Sequence, residues 1–259
     1  MSSLKFSKSF HLYLYAIVVI FFTIVLIAMA CGWEKFLQIS VLNQHIAQSV
    51  VYLLSTLFLV FVIWRLGWLQ SSGFTFFGRI KTWLIILFPL IHVLTKDFYF
   101  ITRDFSLKIS EPRLVFWSGF SGFASGFFEE TVFRGIVLFY FLRSWGHSIS
   151  GIVKSITVSA SLFGGIHVLQ LAENPLPQTL LIMLTAVLAG FFYGVILLHG
   201  GSIWIPIVFH GLHNAGVNIF IAGRTFSEKS LINFFILITY IPVFLLGIYL
   251  LKKIPQNKE

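Results

Sequence analysis

Long apolar stretches alternate with short polar segments along most of this chain. A helix needs about 20 consecutive apolar residues to cross the hydrocarbon core of a bilayer. Stretches of that length recur, which predicts an all-α, polytopic transmembrane helical bundle of about eight helices. The helices are predicted near residues 10–32, 46–64, 80–95, 114–142, 151–171, 178–198, 203–221 and 231–251. The third is short because Lys96 and Asp97 follow it closely, and the fourth is long enough to tilt.

Composition supports the membrane class. Hydrophobic residues make up 58% of the 259 residues and charged residues only 10%, whereas soluble domains carry about 25% charged residues. The net charge is +9, but the basic residues are spread over the helix ends rather than clustered. This favours contact with anionic lipid over nucleic-acid binding. The single cysteine, Cys31, excludes an intrachain disulfide and a metal site built from several cysteines.

Basic residues also predict the orientation. They flank the two ends of the chain and the loop after the second helix, at Lys5, Lys8, Arg65, Arg79, Lys81, Lys252, Lys253 and Lys258. Cytoplasmic loops carry an excess of lysine and arginine, so we expect both termini to be cytoplasmic. The first apolar stretch is too long for a signal peptide, and we expect it to be retained. The prediction is an integral multi-pass membrane protein, in the plasma membrane if the chain is bacterial.

The fourth stretch contains three adjacent ionisable positions. Glu129, Glu130 and Arg134 lie within Gly126-Phe127-Phe128-Glu129-Glu130-Thr131-Val132-Phe133-Arg134-Gly135. Each charge at the centre of a bilayer costs roughly 2.5–3.5 kcal/mol, so the three require partners. On a helix Glu130 and Arg134 share a face and are expected to form an ion pair. Glu129 points about 100° away, which leaves one carboxylate for chemistry.

Two further apolar stretches carry isolated polar groups. His167 follows Phe163 by four residues, beside Gly164 and Gly165, which permit close approach of another helix. By itself such a histidine is more often a packed residue than a catalytic one. His210 and Asn214 are also four apart, so both can donate hydrogen bonds into one site, as an oxyanion hole requires. The nearby His213 and Asn218 are expected to form interhelical hydrogen bonds.

Together these groups suit amide hydrolysis. Hydrolysis of a peptide bond needs a base that activates water and donors that stabilise the tetrahedral oxyanion. A carboxylate, two imidazoles and an amide on three helices supply both. The ordered set Glu129-Glu130-x3-Arg134, Phe163-x3-His167 and His210-x3-Asn214 resembles the three motifs of the CPBP family. This family contains type II CAAX prenyl endopeptidases and bacteriocin-processing, Abi-like proteins associated with immunity.

The resemblance covers roughly residues 114–221 and implies an intramembrane endopeptidase. It implies that Glu129 and His167 activate the attacking water and that His210 and Asn214 stabilise the oxyanion. Glu130 and Arg134 would orient Glu129. No cofactor is favoured, although a zinc-dependent version would use Glu129, His167 and His210. The expected substrate is a membrane-associated peptide or lipidated protein: a prenylated, leader or signal-type peptide.

The chain is then read as one structural domain with three parts. Residues 1–113 contain the N-terminal transmembrane helices and an interfacial segment. Residues 114–221 form the catalytic helical core of CPBP type. Residues 222–259 contain the last transmembrane helix and a basic cytoplasmic tail.

Two other functions remain open. A non-catalytic immunity or peptide-binding membrane protein would need the same fold and groove without the chemistry. A rhomboid-like serine protease is suggested by Gly119-Phe120-Ser121-Gly122, but in rhomboids this pattern follows the His-x3-Asn pair, and here it precedes it. That reading also gives the glutamates no role.

Overall fold

The computed structural model describes residues 40–103, 111–172, 174–221 and 226–254. The first predicted helix, 10–32, therefore lies outside the described residues. Those ranges contain seven helices and no strand, which confirms the all-α class and leaves the count of about eight as a prediction.

The described helices follow one another along the chain. Six of them are α1 (Val41–Arg65), α2 (Ile80–Arg103), α4 (Ile149–Ile166), α5 (Leu176–Gly200), α6 (Trp204–Ile221) and α7 (Phe226–Leu251). The remaining helix, α3, begins as Pro112–Glu130, continues as a π-helical segment (Thr131–Leu138) and ends as Phe139–Trp145. A 3₁₀ segment, His167–Ala172, follows α4.

Local signals explain several helix ends. The hydroxyls of Ser40 and Ser148 accept hydrogen bonds from the backbone N–H groups of the third residue beyond each, at the starts of α1 and α4. Such side-chain caps satisfy N–H groups that have no partner within the helix. Pro177 lies in the first turn of α5, where its missing N–H loses no hydrogen bond and its fixed φ suits a helix start. Gly201 ends α5 with φ of +71°, a left-handed conformation that glycine adopts without strain.

Four of the described helices are long and apolar enough to cross a membrane. They are Val41–Arg65, Ile149–Ala172, Leu176–Gly200 and Asn233–Leu251. Large apolar side chains on α1, among them Leu57 and Phe61, are exposed, as expected where a helix contacts lipid. The chain is thus an integral membrane protein. The helices α3 and α6 are not among the four, and they are the ones that carry most of the polar residues of the site.

Glycines allow α3 and α6 to pack closely. A Cβ atom placed on Gly126 would lie 2.8 Å from the Cα of Gly211, and one on Gly122 would lie 2.8 Å from the backbone N of Ala215. Small residues at such positions let two membrane helices approach backbone to backbone. On its other side α3 packs against α1. This central position of α3 puts Glu129 and Glu130 beside α6.

Several helices differ from the sequence prediction in their bounds or geometry. Helix α2 continues to Arg103 rather than ending at residue 95, because polar residues do not stop a helix whose backbone hydrogen bonds continue. The helix α7 begins at Phe226 rather than near residue 231. The predicted helix 114–142 contains the π-helical segment, which widens the turn directly after Glu130. Segments of this kind are frequent at functional sites.

The glycine pair before His167 provides a test of helix packing. A Cβ atom on Gly164 would overlap Val187 Cγ2 and lie 2.7 Å from the backbone oxygen of Met183, both on α5. A Cβ atom on Gly165 would meet nothing within 4 Å. We expect Gly164→Ala to lower the free energy of unfolding by about 1–3 kcal/mol through overpacking. Gly165→Ala should leave it unchanged or raise it by up to about 1 kcal/mol through higher helix propensity. Equal effects in denaturant titrations of the purified proteins would contradict this packing.

Candidate active site

The ion pair expected between Glu130 and Arg134 is confirmed. Arg134 Nη1 lies 3.1 Å from Glu130 Oε1, and both side chains are almost completely buried. Burial of one such charge alone would be costly, so each requires the other. The same Glu130 oxygen accepts a hydrogen bond from His210 Nδ1 at 2.8 Å. The sequence did not predict this contact between α3 and α6, which makes His210 a direct partner of the ion pair.

The environment of Arg134 fixes the ion pair in place. Its Nη2 donates a hydrogen bond to the backbone oxygen of Gly190 at 3.0 Å. The guanidinium lies over the ring of Phe163, 4.7 Å from its centroid, and 5.3 Å from that of Tyr193. A Cβ atom on Gly190 would lie 3.1 Å from Nη2, so glycine leaves the space that the guanidinium occupies. The helices α3, α4 and α5 therefore all hold this one side chain.

Glu129 lies on the opposite side of the His210 imidazole. Its Oε2 is 3.6 Å from His210 Nε2, too far for a direct hydrogen bond. Its side chain is 24% exposed, whereas that of Glu130 is fully buried. The two adjacent carboxylates thus differ in environment as the sequence suggested, one locked into an ion pair and the other accessible.

Two aromatic rings hold the imidazole of His210. Tyr193 stacks on it with a centroid distance of 4.9 Å and an interplanar angle of 27°. Phe163 meets it edge-on at 5.6 Å. His210 therefore has a fixed ring plane, with one nitrogen directed at each glutamate.

His167 occupies the first position of the 3₁₀ segment after α4. Its Nδ1 lies 2.9 Å from the backbone oxygen of Phe163, and the ring is perpendicular to that of Phe163 at 5.2 Å. Because a carbonyl oxygen only accepts, Nδ1 carries the proton and Nε2 is the acceptor in the neutral ring. A histidine in this form can take a proton through Nε2.

A cavity of about 300 Å³ brings His167, His210 and Asn214 together. It extends between α4, α5, α6 and α7, and Ser125 of α3 completes the wall. Asn214 Nδ2 donates a hydrogen bond to Ser125 Oγ at 3.2 Å, which holds the amide at the wall. The lining residues do not include Glu129, which flanks the cavity across the His210 ring. All six predicted site residues thus lie around one cavity or the ion pair beside it.

Ser121 belongs to a different polar cluster. Its hydroxyl lies 3.0 Å from His45 Nδ1 and donates to the backbone oxygen of Ser118. Asn218 Nδ2 lies 3.4 Å from both Ser121 Oγ and the Ser118 oxygen, which confirms the interhelical role expected of Asn218. His210 and Asn214 have hydrogen bonds to Glu130 and Ser125 instead, so the rhomboid-like arrangement is not formed.

The donors named for zinc do not converge. Among the described residues, no group of three or more His, Cys, Asp or Glu side chains is placed to hold a metal ion. The carboxylate of Glu129 lies 3.6 Å from the Nε2 atom of His210. The Nδ1 atom of His167 is instead hydrogen-bonded to the backbone oxygen of Phe163. The residues as placed do not fit a zinc site.

Two tyrosines of the cavity wall were not predicted from the sequence. The hydroxyls of Tyr193 and Tyr240 lie 2.8 Å apart, both side chains are buried, and both line the cavity. A polar hydroxyl within an otherwise apolar membrane helix was the available signal. Asn233 and Gln170 also line the cavity and were not predicted, because a single amide carries no spacing signal of its own.

Apolar helices long enough to cross a membrane surround a buried cluster of a carboxylate, a guanidinium and an imidazole, an arrangement compatible with a membrane-embedded hydrolase. Residues 111–216 match the model of the Rce1-like family, type II CAAX prenyl endopeptidases. The match confirms the resemblance drawn from the three motifs and indicates a CAAX-type membrane peptidase. No curated protein and no solved structure matches the chain.

Proposed function

We propose that the chain is an intramembrane endopeptidase of the glutamate type that cleaves a peptide bond near the membrane surface. The observation that carries this proposal is the position of His210 between two unlike carboxylates, with Nδ1 2.8 Å from Glu130 and Nε2 3.6 Å from Glu129, at the wall of a cavity. Glu130 and Arg134 hold this arrangement from one side. The accessible Glu129 is left to act on water.

The hydrogen bonds define what His210 does. Glu130 is ionised because it pairs with Arg134, so it accepts the Nδ1–H proton of His210. A second proton on Nε2 makes His210 a donor at its other end.

The proposed hydrolysis of the peptide bond has two stages, addition of water and loss of the amine. Glu129, assisted by His167, removes a proton from water as the oxygen adds to the peptide carbonyl carbon. The carbonyl oxygen becomes an oxyanion that accepts hydrogen bonds from His210 Nε2–H and Asn214 Nδ2–H. When the C–N bond breaks, the proton held by Glu129 passes to the leaving amine. The products are a carboxyl terminus and an amino terminus.

Removal of one oxyanion donor provides a test. We expect Asn214→Ala to lower kcat by about 10²–10³-fold with little change in KM, because the hydrogen bond strengthens only as the oxyanion forms. Cleavage of a membrane peptide by the purified protein in vesicles measures both constants. The matched control is Asn43→Ala, on an exposed position of α1, which should retain both. An equal loss in the two variants, or no loss in Asn214→Ala, would refute the oxyanion role.

Metal dependence separates the two versions of the mechanism. Because the donors do not converge, we expect the purified protein to keep full cleavage activity after treatment with a strong chelator. Elemental analysis of the same sample checks its metal content. Stoichiometric zinc that is required for cleavage would replace the glutamate mechanism with the zinc-dependent one.

A further inference from the structure

In the part of the chain that the structure describes, one end of the helical bundle carries basic but no acidic side chains. It is formed by residues 61–85, 139–156, 197–207 and 245–254, which contain seven Lys or Arg residues and no Asp or Glu. The last turn of α5, a helix long enough to cross the membrane, belongs to this end, so these charges lie at the membrane surface. The basic residues predict that this end is cytoplasmic, where the leaflet carries anionic lipid.

Three basic side chains from three helices meet at the end of α5. Arg79, directly before α2, donates a hydrogen bond through Nη1 to the backbone oxygen of His199 at 3.2 Å, and its backbone N–H donates to the oxygen of Gly200. Thr82 Oγ1 lies 3.1 Å from His199 Nδ1, which holds the imidazole against α2. Lys253, just beyond α7, and Arg79 both lie close enough for their charges to act on this imidazole.

The contacts within the protein position these cations and still leave donors directed at the surface. A guanidinium has five N–H donors, and the described hydrogen bond of Arg79 to the end of α5 uses one of them. The Nζ of Lys253 contacts the Tyr249 hydroxyl and lies 4.3 Å from the centroid of its ring. Both basic side chains are exposed. Cations that lie close together repel each other, so an anion bound between them would stabilise this arrangement.

Exposed aromatic rings adjoin the cations. Phe77 stacks on Trp204 at a centroid distance of 5.7 Å and on Trp83 at 6.5 Å. The indole N–H groups of both tryptophans donate to backbone oxygens of the loop between α1 and α2. Phe76 and Phe77 are 50% and 69% exposed. Tryptophan is enriched where a membrane protein meets the headgroup region, so the loop presents an apolar surface at that level, two residues before Arg79.

We propose that Arg79, His199 and Lys253 bind the phosphate group of an anionic phospholipid, whose acyl chains lie against Phe76 and Phe77. Guanidinium and ammonium groups bind phosphate through charge-assisted hydrogen bonds. A zwitterionic phospholipid would bring its own ammonium group next to three basic side chains. The site therefore favours a headgroup with a net negative charge.

The lipid site is separate from the candidate active site. Gly190, whose backbone oxygen binds Arg134, and His199 both belong to α5. Nine helical residues separate them, a rise of about 14 Å. Lipid binding at this end does not depend on the proposed peptidase reaction, and it can be measured without cleavage.

Native mass spectrometry measures the binding. The purified protein in an uncharged detergent is titrated with phosphatidylglycerol, and the apparent Kd of the first bound lipid is determined. We expect Arg79→Gln combined with Lys253→Gln to raise this Kd about 30-fold, because each cation near anionic lipid contributes roughly a fivefold factor. The matched control combines Arg143→Gln with Lys154→Gln, two exposed cations at the same end, and should change the Kd by less than about threefold. Equal losses in the two double variants would overturn the proposal, because they would indicate a diffuse positive field.

Two further ligands test the lipid assignment. Phosphatidylcholine should bind about tenfold more weakly than phosphatidylglycerol, and an excess of inorganic phosphate of about 100-fold should not displace the bound lipid. Equal Kd values for the two lipids would overturn the selectivity for an anionic headgroup. Displacement by inorganic phosphate would overturn the lipid as the ligand and assign the site to a soluble anion.

Single substitutions keep the test decisive if the double variant does not fold. Lys253→Gln removes one exposed charge and should raise the Kd about fivefold, whereas Arg79→Lys keeps the charge and should change it by less than about threefold. Unchanged binding by a folded Lys253→Gln protein would contradict the proposed site.

Discussion

Replacement of Glu129 by alanine is expected to abolish cleavage while the protein still folds. A general base contributes about 10²–10⁴-fold to a proton-transfer step, and no other described carboxylate approaches His210 Nε2. Because Glu129 is partly exposed and has no short ion pair, its loss should change the free energy of unfolding by less than about 1 kcal/mol. Initial rates of peptide cleavage by matched amounts of folded protein measure the effect.

The control for Glu129 lies directly before the same helix. Glu111 precedes α3, is exposed, and makes no side-chain cap. Glu111→Ala should therefore retain the full rate. Full cleavage by Glu129→Ala would remove Glu129 as the base. Loss of cleavage accompanied by loss of folding would show that its role is structural.

Replacement of Arg134 by alanine is expected to destabilise the fold and abolish activity together. The change leaves Glu130 as an uncompensated buried charge, which costs about 3–5 kcal/mol. It also removes the hydrogen bond to Gly190 and the contact with the ring of Phe163. His210 loses the fixed position of its partner, so activity falls even in the molecules that remain folded. Denaturant unfolding in detergent and cleavage rates give the two measurements.

A second substitution separates stability from chemistry. Adding Glu130→Gln to Arg134→Ala removes the unpaired charge and should recover part of the lost stability without restoring cleavage. Arg143→Ala serves as the control, because Arg143 is exposed near the end of α3 and lies over the Trp68 ring, a contact worth about 1 kcal/mol or less. An Arg134→Ala protein with normal stability and activity would disprove the orienting role.

The ion pair between Glu130 and Arg134 was predictable, because it depends only on the four-residue spacing within one helix. The same holds for the contact of Phe163 with His167 and for the placement of apolar helices. The match to residues 111–216 confirms the family resemblance that the ordered motifs carried. Each of these inferences uses local spacing or chain order.

The contact between His210 and Glu130 joins positions 80 residues apart and depends on how closely α3 approaches α6. Gly122 and Gly126 set that approach, and only the structure shows that both face the backbone of α6. The π-helical segment after Glu130 has no local sequence signal either, since tertiary packing decides the width of the turn. The roles of the six site residues stay predictions that mutagenesis must test.

Proteolysis that depends on Glu129 is tested most directly by the appearance of new peptide termini in the membrane. Mass spectrometry compares membranes that contain the intact protein with membranes that contain Glu129→Ala at equal expression. We expect new termini that appear only with the intact protein. Identical termini in the two samples would contradict proteolysis and favour the immunity or peptide-binding function, in which Glu129→Ala keeps its biological activity.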